Sequence, residues 1–209
     1  MISQAMAYLQ YELGAHPDAS GKLDATTAWS AQLLGSLRWW MLLEGTHVLT
    51  LAVFAGTILF VDLRLLGVAL PHVPVSRVTR SLLPLTVGAF AVMVLTGLLL
   101  FYAKPFEYYH NFAFRAKVVF LLLAAANIFI FHGRVQADAA RWDAEPLPPM
   151  GARRSAALSL LAWVLVIGAG RAMAYDRFTC SEAGPVIGAL ADCGGQAATL
   201  AVLEQEVSL

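Results

Sequence analysis

Charge is what this sequence has least of. Only 13% of its 209 residues are Asp, Glu, Lys or Arg, where a soluble domain usually carries about 25%. The 14 basic and 14 acidic residues cancel, and no Lys/Arg stripe stands out. Nucleic-acid binding, which needs a clustered basic surface, is therefore not expected. Cysteine is nearly absent, with two residues in all. There is no Cys-x-x-Cys, no His-Glu-x-x-His, no glycine-rich phosphate loop and no nucleophile elbow. Gly/Pro-broken helices in matching halves, as in secondary transporters, are also missing. Residues 1–36 hold Glu12, Asp18 and Asp24 but no compact apolar core after a basic start. No cleaved leader is expected, and the first spanning helix directs insertion. The closing "EVSL" carries no lipidation box.

What is abundant is apolar sequence, 59% of the chain. About 20 mostly apolar residues cross a bilayer as a helix. Four segments qualify, at about 38–62, 81–103, 112–132 and 156–175, with Pro84 expected in the first turn of the second. The expected fold is an all-α integral membrane four-helix bundle over 37–176. Segment 1–36 precedes it and tail 177–209 follows it. The apolar stretch from Gly184 to Leu203 is broken by Asp192 and the Cys193-Gly194-Gly195 turn, and reads as tail structure or a docking helix, with a fifth span as the lesser alternative.

Trp39, Trp40, Phe101, Tyr102, Tyr108, Tyr109 and Tyr175 cluster at one set of helix ends, as an interfacial belt does. Four crossings put both termini on that aromatic side. The opposite side holds Arg64, Arg77, Arg80, Arg134, Arg141, Arg153 and Arg154 in two short loops. Short basic loops stay in the cytoplasm, so both termini are expected in the periplasm of a bacterial inner membrane. Cys180 and Cys193 both fall in the periplasmic tail, where a pair reads as a disulfide.

Ionisable residues at membrane depth are costly and normally mark function. "LLEGTH" puts Glu44 and His47 one turn apart inside the first span. His47 lies roughly 12 Å in from Trp39, and His132 roughly 18 Å from it in depth at 1.5 Å per residue. One iron cannot take both, so any haem they bind is two haems. His47 has His110 or Met93 as a second ligand at its depth, and His132 has His72. Arg115, Lys117 and Arg171 lie toward the aromatic side, available to haem propionates, a quinone or an anionic headgroup. Glu44 orients the His47 ring or satisfies it locally. Arg64 pairs with Asp62 or anchors the interface. Against this stands a plainer account, in which interfacial histidines are solvated and helix glycines are packing points.

"EGTHVLTLAVFAGTILFVDLRLLG", "LLPLTVGAFAVMVLTGLLLF", "NFAFRAKVVFLLLAAANIFIFH" and "VIGAGRAMAY" occur in that order. Over residues 39–175 the chain resembles a bacterial family of four-helix inner-membrane proteins of uncharacterised function. More distantly, it is similar to haem-b membrane protoporphyrinogen oxidases and to copper-resistance D-type membrane proteins. The oxidase resemblance implies a functional set at His47, Arg64 and Lys117, with haem b at His47. The expectation is a haem-b electron-transfer protein in a larger redox complex, carrying one or two haems. A cofactor-free accessory subunit and a porphyrinogen-oxidase-like enzyme are its rivals.

Overall fold

A backbone in lipid has no water to bond, so uninterrupted apolar sequence closes its own hydrogen bonds as helix. The computed structural model describes residues 1–131 and 139–208. Four helices in it are long and apolar enough to cross a membrane: α3 (Leu37–Leu65), α4 (Val75–Ala103), α6 (Phe112–Ile130) and α8 (Met150–Ala172). The chain is an all-α, multi-pass membrane protein. Leu49, Leu95, Leu122 and Phe129 stand exposed on these helices, an apolar surface suited to lipid.

Three helices run further than hydropathy alone predicts. α3 continues past Asp62 and stops at "LLG". There the Gly67 N–H donates to Arg64 O at 3.0 Å and the Val68 N–H to Leu63 O at 3.0 Å, closing off the last carbonyls. Gly67 holds φ +75°, and a Cβ there would meet Leu147 Cδ1 at 2.9 Å. α4 starts at Val75 rather than Ser81. Its first two turns are polar because they stand outside lipid, and Asp143 caps them, accepting from Ser76 N at 2.7 Å and Ser76 Oγ at 2.6 Å. Pro84 therefore sits inside α4, not in its first turn. Its missing N–H leaves the Arg80 carbonyl without its usual donor.

The chain divides into two compact units. Unit 1 holds Met1–His47, Leu95–Ala116 and Ala169–Leu209, and unit 2 holds Val48–Val94 and Lys117–Gly168. In unit 2, Phe54, Ala89, Met93, Ala124, Ala162, Trp163 and Val166 form one buried cluster, with Phe54 edge-on to Trp163 at 4.8 Å. A second cluster gathers Leu65, Val75, Trp142, Ala152 and Ala156, with Trp142 supplied by α7 (Ala139–Trp142).

In unit 1 the segments outside the spans fold as a cap. α1 (Ile2–Ala7) leads into a two-strand hairpin, β1 (His16–Pro17) and β2 (Leu23–Asp24), and then α2 (Trp29–Gly35). α5 (Pro105–Tyr109) sits between α4 and α6. Its first free N–H groups are capped by Gln10 Oε1, which accepts from Phe106 N at 2.9 Å and Glu107 N at 3.4 Å. The tail forms α9 (Pro185–Leu190) and α10 (Cys193–Ser208), split at Asp192, and neither is among the helices long and apolar enough to cross a membrane. α1 packs on both α5 and α10, so the first and last helices meet.

Cys180 and Cys193 form the expected disulfide, with Cα atoms 5.4 Å apart. A loop of this length confers about 3 kcal/mol by restricting the unfolded chain. Cys180→Ser is expected to lower the thermal midpoint of the detergent-solubilised protein, and dithiothreitol to do the same to wild type but not to the variant.

Candidate functional site

The first helix carries its polar residues into unit 1 on one stretch. His47 is half-buried, and its Nδ1 lies 3.1 Å from Thr96 Oγ1 of α4. The neighbouring Gly97 makes room for the ring, since a Cβ there would come within 3.0 Å of His47 Cε1. Gly97 is thus a packing glycine whose partner is the histidine itself. The ring's orienting partner is Thr96 rather than the expected Glu44, which stands exposed. A hydrogen bond at Nδ1 fixes the orientation of the imidazole ring.

Unit 1 also holds an aromatic stack. Phe101 and Phe114 are 5.3 Å apart and Tyr108 and Phe114 5.6 Å, all within 24° of parallel where paired. Burial pushes the Tyr108 phenol up to about 12, with the charges of Glu107 and Glu44 adding to it. Tyr108 is therefore a neutral hydroxyl throughout the physiological range.

His110 is placed differently. It is buried, its Nδ1–H donates to Phe106 O at 2.9 Å, and its Nε2 lies 3.1 Å from Ser3 Oγ. Ser3 Oγ in turn lies 2.8 Å from Thr199 Oγ1, so α1, α5 and α10 are joined through one ring. Both ring nitrogens are engaged, which leaves neither for iron in this arrangement. Burial lowers the His110 pKa, with Arg115 acting the same way and the Phe106 carbonyl and Asp192 opposing. A group held neutral in the fold binds protons more readily when unfolded. Cap stability is then full above the ordinary histidine value of 6.5 and falls as pH drops through it toward the lower folded value. Amide exchange in α1 and α10 is expected to speed up on acidification through that window, after correction for intrinsic rates, and His110→Gln to flatten the response.

Arg115 also belongs to the cap. It donates to Tyr109 O at 2.8 Å and Leu190 O at 2.9 Å, and its guanidinium lies 4.4 Å from the Tyr109 ring centroid. Arg171 is exposed, 5.5 Å from the Tyr175 ring.

In unit 2, Met93 is buried in the Phe54–Trp163 cluster and Lys117 is half-buried. His72 is exposed. His132 lies outside the described residues. Arg64 does not pair with Asp62. It is fully buried, and its Nε donates to Val73 O at 2.6 Å and its Nη2 to Glu145 O at 2.9 Å, tying two loops together. Asp62 hydrogen-bonds Ser159, and its Oδ2 is buried with no partner among the described residues. One turn earlier on α8, Ser155 exchanges two 3.0 Å hydrogen bonds with Asn127. Asp62, Asn127, Ser155 and Ser159 make a polar layer inside apolar helices. Asn127, an amide inside an otherwise apolar run, is a sequence signal for it, and Ser155 and Ser159 stand at i, i+4 spacing on α8. Among the described residues no three His, Cys, Asp or Glu side chains gather.

Residues 39–176 match a family of unknown function, DUF6644. The chain belongs to this family. The DUF6644 match takes in all four spanning helices together with His47, Thr96, Gly97, Arg64 and Lys117, and leaves α1, α2, α9 and α10 outside. No curated protein and no solved structure matches the chain.

Proposed function

We propose that this protein is a haem-b-binding electron-transfer subunit of a bacterial inner-membrane redox assembly, with His47 as the iron ligand. The observation that carries the reading is the seat of His47. It is a half-buried imidazole inside a spanning helix, held at Nδ1 by Thr96 and fitted against Gly97. Outer hydrogen bonds of this kind fix the tautomer of ligating histidines. His110 has both ring nitrogens engaged, and of the two it is His47 that lies inside a spanning helix. Bound there, haem supplies a one-electron ferric–ferrous couple. Tyr108 offers a neutral hydroxyl to a quinone or propionate, and exposed Arg171 offers a cation.

Exposed Glu44 supports a partner. A carboxyl group on the outer face of a spanning helix is costly against lipid, and a polar surface on another subunit removes that cost. The disulfide and the short arginine-bearing loops support a periplasmic location for both termini.

The test is the absorbance spectrum of the purified protein in detergent, oxidised and dithionite-reduced. A Soret band with reduced α and β bands is expected. A preparation that stays colourless after haem supplementation sinks the reading and favours the cofactor-free accessory subunit.

A further inference from the structure

At the end of unit 2 where α4 begins, Pro74, Ser76, Arg77, Arg80, Ser81 and Asp143 line an open cleft of about 440 Å³. Three observations define its chemistry. The acid is already used: both Asp143 oxygens accept from Ser76, and the Asp143 carbonyl accepts from Val75 N at 3.0 Å, so the helix end is capped from within the protein. The two arginines are not used. Both are exposed, and neither guanidinium has an ion pair or hydrogen bond to another described residue. The cleft therefore carries two positive charges against one negative, a balance of one positive charge open to an anion. Ser81 adds a hydroxyl, and Pro84 leaves the Arg80 carbonyl without its helical donor.

The third observation says what kind of anion. Pro84, Val87, Ala91 and Val94 follow Arg80 at helical spacing, and all four are exposed. One face of α4 thus begins with a pair of guanidiniums and continues as an apolar strip into the depth of the span. A free phosphate would use only the first part of that face. We infer that the cleft and strip together bind one anionic phospholipid. Its single phosphodiester charge is held by Arg77 and Arg80, and one acyl chain lies along Val87 and Ala91. Arginine presents two parallel N–H groups to a phosphate, which suits this pair better than a point charge would. Basic pockets at the ends of spanning helices take anionic headgroups by this chemistry. The inference stands apart from whether haem is bound.

The test is native mass spectrometry of the full chain released from nanodiscs that mix phosphatidylglycerol and phosphatidylcholine with identical acyl chains. Wild type is expected to retain one phosphatidylglycerol in preference to phosphatidylcholine. In the Arg77→Gln/Arg80→Gln protein that preference is expected to fall about thirtyfold, from the contribution of two basic residues at a membrane surface. Arg141→Gln/Arg154→Gln removes the same net charge from two exposed arginines outside the cleft and is expected to keep the preference. Equal retention of the two lipids by wild type overturns the proposal, as does equal loss in both double variants. Displacement of the lipid by millimolar inorganic phosphate, with phosphate adducts in its place, would make this a phosphate site and also overturn it.

Discussion

Alanine at position 47 is expected to give a folded four-helix protein with no Soret band and no bound porphyrin. The expectation follows from the way the ring is held. Nδ1 is anchored on Thr96 at 3.1 Å, so a substitution that removes the imidazole removes the ligand and leaves a hydroxyl beside a small void. The helix itself tolerates alanine well, so far-ultraviolet circular dichroism should not change. Two further variants separate a ligand from a merely packed histidine. Thr96→Val keeps the volume and removes the hydrogen bond, and is expected to weaken haem affinity by roughly tenfold to a hundredfold, as loss of an orienting partner does. Gly97→Ala drives a methyl to within 3.0 Å of His47 Cε1 and is expected to shift the Soret maximum or reduce haem occupancy. If all three proteins keep the wild-type spectrum, His47 is not the ligand.

Arg64→Ala is expected to be the most destabilising single change in unit 2. The side chain is fully buried, and its guanidinium bonds the carbonyls of Val73 and Glu145. Each hydrogen bond from a charged donor contributes about 1.5–3 kcal/mol, so the loss of two amounts to about 3–6 kcal/mol. Two carbonyls are left without a donor and a large side chain's volume is left empty. The loss should appear as a lower thermal midpoint in detergent and as faster proteolysis between α3 and α4. Arg64→Lys is expected to recover little, because one ammonium cannot present the fork that reaches both loops. A role for Arg64 in holding haem predicts a different result. An unchanged thermal midpoint with lost haem would favour it.

The four spans were legible because lipid imposes a simple rule on length and polarity. Their ends were less so. Val75 and Met150 begin helices with polar turns that stand outside lipid, where hydropathy carries no signal. "VDLR" suggested an ion pair between Asp62 and Arg64. Residues two apart on a helix point in different directions, and each found another partner: Ser159 for the acid, backbone carbonyls for the base. The histidines divide in the same way. His47 was identified by its depth alone. His110 reads as an interfacial ligand in the sequence, but its engagement by Ser3 joins residues 107 apart, and no local pattern announces such a contact. The cap was illegible for that reason. Its parts carry little periodicity, and Ser3, Gln10, His110 and Thr199 join them across long stretches of sequence.

That cap also sets an order of events. α1 is synthesised before any spanning helix, while α10, which supplies Thr199 to Ser3, follows all four. Cys193 and its partner Cys180 likewise both follow α8 in the chain. For the whole of translation α1 waits without its partner. Completion of the cap is therefore a late step in biogenesis, and it can occur only in chains whose two ends lie on the same face of the bilayer. A chain that skips one crossing strands its two ends on opposite faces of the bilayer, uncapped and open to proteases on both.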